Sequence, residues 1–173
     1  MANLYLLRHA KSDWEDMSLS DHDRPLSPRG EKAAANMGRT LARQGLAPEI
    51  VLCSTALRAR ATLDLVMEAG DFSWPVQFEP ALYGASVQAI LSIIRADAGP
   101  FSRALLVGHN PGFHYVAKHL VYTGESELLT ALDYKYPTGT FADIEFPDAR
   151  LNDVSPSTGV LKQFLRPRDQ TNA

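Results

Sequence analysis

Leu4-Tyr5-Leu6-Leu7-Arg8-His9-Ala10-Lys11-Ser12 opens with four apolar residues in a row and breaks off in an arginine and a histidine. Apolar side chains without polar alternation predict a strand buried on both faces of a sheet, and Arg8 and His9 fall where such a strand leaves it. Open α/β sheets bind their ligands at that end. Two later stretches repeat the pattern. Ile50-Val51-Leu52-Cys53 leads through Ser54-Thr55-Ala56-Leu57 to Arg58 and Arg60, and Ala104-Leu105-Leu106-Val107-Gly108 ends on His109. In a parallel sheet the three ends meet along one edge, gathering two histidines and at least two arginines. Such a cluster suits an anion.

Between these strands the signals are helical. Ser27-Pro28 reads as an N-cap followed by proline at the first helical position, and Ala34, Met37 and Leu41 give an apolar stripe that Gly45 and Pro48 terminate. A second helix is expected over residues 56–69, with Arg58 in its first turn, then a short strand over 75–78. Val87, Ile90, Leu91 and Ile94 mark a covering helix after Ser86. Asn110 is expected as an N-cap and Pro111 as the first residue of a helix buried through Phe113, Val116, Ala117, Leu120 and Val121. His109 then sits at a helix N-terminus, where free N–H groups favour negative charge. His114 and His119, five apart, do not share a face closely and read as structural or exposed. Ala142, Ile144 and Phe146 alternate with acids, and with residues 159–165 they predict two paired strands at the sheet margin.

With 173 residues, 45% of them hydrophobic, and a net charge of −3, the chain fits one domain, expected over residues 1–166, with a polar tail over 167–173 expected to fray. Any basic cluster must be local, so neither a nucleic-acid surface nor a polybasic membrane patch is expected. Cys53 is the only cysteine and cannot form an internal disulfide. Together with the lack of a signal-peptide pattern or a membrane-length apolar run, this points to the cytoplasm. The acidic loop over residues 11–30 is too long for a tight turn, and long loops are often functional. Its Asp21-His22-Asp23 has no recognised metal-ligand spacing and reads as solvated.

A neutral imidazole can attack phosphorus and hold the phosphoryl group, splitting one hard displacement into two easier ones. Arginines bind the phosphoryl oxygens bidentately and remain charged throughout, so neither metal nor cofactor is required. A second histidine can hydrogen-bond the same oxygens or move a proton.

Leu7-Arg8-His9-Ala10, Ser54 to Thr62 and Gly108-His109-Asn110 resemble, in order, the signatures of the histidine phosphatase superfamily. Lys11-Ser12 and Asp23-Arg24-Pro25-Leu26-Ser27 look most like its small SixA-type phosphohistidine phosphatase branch, and Tyr136-Pro137-Thr138-Gly139 resembles a later family element. The resemblance implies a three-layer α/β/α domain with a mostly parallel central sheet and a C-terminal antiparallel margin, phosphoglycerate mutase-like in topology. It implies His9 as phosphoryl acceptor, with Arg8, Arg58 and His109 completing the phosphate pocket. Arg60, two residues beyond Arg58, would point away from it on a helix. Ser12, Arg24 and Asn110 are candidates to contact the substrate, against capping or solvation roles.

Two positions depart from the family pattern. Ala10 stands where many members have glycine. Pro80 stands three residues before Tyr83-Gly84, where many relatives carry a general acid, which leaves neighbouring Glu79, Asp13 or another loop carboxylate as candidates. An imidazole leaving group is easier to expel than an alkoxide, so the missing acid favours a phosphohistidine-bearing protein over a small phosphate ester such as a sugar phosphate or nucleotide. A non-catalytic phosphate-binding module is the remaining alternative. A shallow open pocket would suit a protruding phosphohistidine, and a deep closed one a small molecule.

Overall fold

All three apolar runs become central strands. The computed structural model describes residues 1–170. Its strands are β1 (Ala2–Arg8), β2 (Ile50–Cys53), β3 (Val76–Phe78), β4 (Arg103–Gly108), β5 (Val121–Gly124), β6 (Phe141–Phe146) and β7 (Gly159–Leu165). They form one sheet in the order β3-β2-β4-β1-β6-β7-β5. β1, β2, β3 and β4 run parallel, β6 is antiparallel to β1, and β7 is antiparallel to β6. This is the expected three-layer arrangement with phosphoglycerate mutase-like topology.

Helices cover both faces. α1 (Pro28–Arg43) and α2 (Leu57–Gly70) lie on one side; α3 (Val87–Ile93), α4 (Gly112–Leu120) and α5 (Ser126–Tyr134) lie on the other. β1 explains why both faces must be covered: Tyr5 and Leu7 enter one core with Met37, Leu41, Leu63 and Val66, whereas Leu4 and Leu6 enter the second with Ile90, Phe113, Val116 and Leu120. α1 starts as its sequence directs. The Ser27 hydroxyl accepts from the Gly30 N–H at 3.1 Å and donates to the Lys11 carbonyl at 3.1 Å, capping the helix and tying it to the segment after β1.

Several elements differ from expectation. α4 begins at Gly112, Pro111 occupies its N-cap position, and the Asn110 amide bonds elsewhere, so Asn110 is not a cap. Val121 belongs to β5, which runs parallel to β7 and lies outside it, so the antiparallel β6–β7 pair is flanked by one further strand. α5 is a helix that no expected element anticipates, and α3 continues into a π-helical turn over Ile94–Ala98. Within the C-terminal tail, Pro167–Gln170 form a 3-10 turn, and Gln170 reaches Met37 of α1; residues 171–173 lie outside the described residues. No helix among the described residues is long and apolar enough to cross a membrane.

Candidate active site

Strand register places the first functional residues. Arg8 pairs with Gly108 and Cys53 pairs with Val107, so β1, β4 and β2 end side by side. The next residues, His9, His109 and Ser54, therefore emerge together at the carboxyl edge of the sheet. The His9 and His109 rings lie with centroids 5.2 Å apart. Arg58 arrives from the first turn of α2, and the segment before β6 closes the back: the Tyr136 carbonyl accepts from Arg8 Nη1 at 2.8 Å and from the Asn110 amide at 2.9 Å. Gly139, at φ +74°, turns its N–H onto the His9 carbonyl at 2.8 Å. That is a left-handed backbone that favours glycine. The departure at Ala10 costs nothing of this kind, because Ala10 has no positive φ and its N–H donates to Thr62 Oγ1 at 2.9 Å.

Hydrogen bonds fix the tautomer of His9. Nδ1 lies 2.7 Å from the Ala10 carbonyl, which can only accept, and Nε2 lies 3.3 Å from Arg58 Nε, which can only donate. The proton is therefore on Nδ1, and Nε2 presents a lone pair. Burial is the main cause pushing His9 down to about 3, with His109, Arg58 and Arg8 adding to it. His109 is pushed down to about 4, again chiefly by burial and next by Arg58. Both rings are neutral at pH 7. Ser54 Oγ accepts from the Ala56 N–H at 3.3 Å and lies in hydrogen-bond contact with His109 Nε2 at 2.7 Å. The other ring nitrogen, His109 Nδ1, is buried without a protein partner.

The cavity at this edge measures about 260 Å³ and is lined by Arg8, His9, Lys11, Ser12, Trp14, Arg58, His109, Asn110 and Thr138. Ser12 and Asn110 thus border it. Arg24 does not: its guanidinium lies 4.0 Å over the Trp14 ring and donates to the Asp16 carbonyl at 3.2 Å, bracing the loop. Glu79 is also outside the lining, its carboxylate accepting from the Ala81 N–H at 2.9 Å as the cap of a 3-10 turn. Arg60 is exposed, as its spacing from Arg58 requires.

Comparison with known proteins gives this arrangement a family. The model of the histidine phosphatase superfamily (branch 1) matches residues 4–89. An uncharacterized protein of Mycobacterium tuberculosis is 34% identical over 164 residues, covering 94% of this chain and 100% of that one. The chain belongs to the histidine phosphatase superfamily. An uncharacterized chloroplastic protein of Arabidopsis thaliana is 39% identical over 126 residues, which are 68% of this chain; the match spans 58% of that relative's length. Among solved structures, a proposed phosphohistidine phosphatase SixA from Nakamurella multipartitia superposes with a TM-score of 0.78 at 30% identity, covering 96% of each chain. This chain is therefore a histidine-phosphatase-fold hydrolase of SixA-like architecture.

Two participants in this histidine phosphatase site carry no signature in the sequence. Asp21 Oδ2 accepts from Arg58 Nη2 at 3.0 Å and from the Tyr83 hydroxyl at 2.6 Å, and the Asp21 carbonyl accepts from Arg58 Nη1. The Tyr83 hydrogen bond, and then Arg58, hold the Asp21 carboxyl below the usual range, so it is ionised at neutral pH. Tyr83 also meets His109 edge-on at 5.5 Å. No spacing in the sequence links residues 21, 58 and 83; the loop brings them together. Among the described residues no group of three or more His, Cys, Asp or Glu side chains is placed to hold a metal ion.

Proposed function

We propose that this enzyme hydrolyses phosphohistidine on a protein in the cytoplasm, through a covalent phospho-His9 intermediate and without metal or cofactor. The observation that carries the reading is the His9 hydrogen-bond pair, a neutral ring held with its Nε2 lone pair inside a cationic pocket. Nε2 attacks phosphorus; the Nε2–P bond forms as the P–N bond to the substrate imidazole breaks, and that imidazole leaves with a proton. Water then cleaves the Nε2–P bond, restoring His9 and releasing phosphate. Arg8 and Arg58 hold the phosphoryl oxygens, and the His109 ring hydrogen-bonds one of them. Ser12 and Asn110 border the incoming group.

Among the described residues none that lines the cavity is a carboxylate, which supports a phosphorus–nitrogen substrate. Asp21, the carboxylate bonded to Arg58, is ionised and has no proton to give an alkoxide, whereas an imidazole can leave already protonated. The name carried by the Nakamurella structure agrees with this reading.

The test compares wild type with His9→Ala on a phosphohistidine-bearing protein and on an aryl phosphate, with chelator present. Wild type is expected to prefer the phosphohistidine protein and to ignore the chelator, and His9→Ala to lose about 10⁴-fold or more in kcat. Activity surviving in His9→Ala overturns the mechanism. A preference for small esters overturns the substrate, and binding without turnover by wild type points to the phosphate-binding module.

A further inference from the structure

A second basic depression opens off the catalytic cavity. It measures about 370 Å³ and is lined by five cations: Lys11, Arg29, Lys135, Arg166 and Arg168. Lys11 and Thr138 line both cavities, so the two adjoin. At its far end Tyr134, Arg166 and Arg168 pass into a third depression beside Ser126 and Thr130 of α5. The result is a trough that starts at the phosphoryl site and runs along the surface to α5.

Five of the chain's 17 lysines and arginines stand here, although the net charge is −3. Among the described residues no carboxylate lines the basic depression itself; Glu127 borders the third depression, and Asp169 engages the far end, bonding Arg166 at 2.8 Å and lying 3.8 Å from Arg168. The Lys11, Arg29 and Lys135 side chains make no hydrogen bond or ion pair with any described residue. Concentrated like charge is disfavoured within a fold and draws a complementary partner. A single phosphoryl group is already accommodated by the catalytic cavity, and five cations are more than a second phosphate on a small metabolite would engage. Tyr134, 82% exposed on its wall, adds an aromatic face of the kind enriched at protein interfaces.

We propose that this trough docks an acidic surface of the phosphohistidine-bearing protein, with Asp and Glu side chains beside the modified histidine meeting Lys11, Arg29, Lys135, Arg166 and Arg168. The inference rests on the phosphohistidine reading above and adds what the substrate must carry next to its phosphoryl group. Because the rest of the enzyme is net negative, an acidic partner is drawn to this trough and repelled elsewhere, which orients it on approach.

The test uses two synthetic peptides of equal length, each with one phosphohistidine, one flanked by a run of glutamates and the other by glutamines. At low ionic strength wild type is expected to favour the glutamate peptide by roughly tenfold in kcat/KM, mostly through KM, with the preference collapsing in high salt. Arg29→Glu/Lys135→Glu is expected to lose that preference while keeping wild-type kcat on the glutamine peptide and on an aryl phosphate. If charge reversal impairs folding, Arg29→Gln/Lys135→Gln makes the same comparison. Equal kcat/KM for the two peptides, or a preference that survives both double variants, overturns the docking trough and leaves the phosphohistidine reading standing. Failure to hydrolyse either peptide, with aryl phosphate still turned over, overturns that reading and the trough together.

Discussion

The two neutral histidines tie the chemistry to stability. In the unfolded chain both titrate near 6.5, whereas in the fold they titrate near about 3 and about 4. Between those values the unfolded chain binds protons that the folded chain does not, so stability is full above about 6.5 and falls as pH drops toward about 3. Thermal melts taken from pH 7.5 down to pH 4.5 should show this decline, and His9→Gln should flatten it; an unchanged pH slope in that variant would refute the assignment. Asp21 makes a separate prediction. Its carboxylate holds one Nη2 hydrogen of Arg58 and so competes with an incoming oxyanion for that guanidinium. Asp21→Asn should bind inorganic phosphate several-fold more tightly as a competitive inhibitor, the loss of one exposed ion pair being worth roughly that much. Weaker phosphate inhibition in the variant would instead assign Asp21 to positioning Arg58. The contrast between Asp21 and His9 also explains what sequence can disclose about the site. Arg8, His9 and His109 were legible because each ends an apolar strand, and a strand end has a known address. Asp21 and Tyr83 come from irregular segments whose path depends on tertiary contacts.

Elements were legible where one face was apolar and the boundaries carried their own signals, as in α1 with Ser27, Pro28 and the Met37 and Leu41 stripe. β5 was hidden because Val121 continues the spacing of Val116, Ala117 and Leu120, and its strand partner lies in β7, far along the chain. α5 was hidden because only Leu132 of its nine residues is buried, which leaves little stripe to read. Asn110 looks like a cap in isolation; the Tyr136 carbonyl, remote in sequence, claims its amide. Close packing between α1 and α2 gives a prediction at this scale. A Cβ on Gly38 would lie 2.3 Å from the Val66 carbonyl oxygen, a backbone atom of α2 that cannot rotate away. Gly38→Ala should therefore force the helices apart and cost about 2 kcal/mol, read as a lower denaturant midpoint at unchanged m-value. A midpoint equal to wild type would mean the helices separate freely.

For the whole molecule, one sheet is shared by two cores, so neither face keeps its packing if the other is lost. A single cooperative unfolding transition is expected, with far-UV circular dichroism and tryptophan fluorescence superimposing. Trp74, packed against Phe72 at 3.9 Å on the α1–α2 face, makes the fluorescence sensitive to that side. Separated transitions would divide the chain into independent units. Layers and parallel strands could be read from apolar runs, but not the placement of β4 between β1 and β2, which depends on how crossovers pack. The seam between the start of the chain and its later part has a consequence in time. Tyr136 sends its hydroxyl to the Leu6 carbonyl and its own carbonyl to Arg8, while Gly139 holds the carbonyls of Arg8 and His9. During synthesis His9, the proposed nucleophile, leaves the ribosome early but without its cradle. A nascent chain is thus silent toward phosphorylated proteins until Tyr136 and the strand after it have emerged and docked.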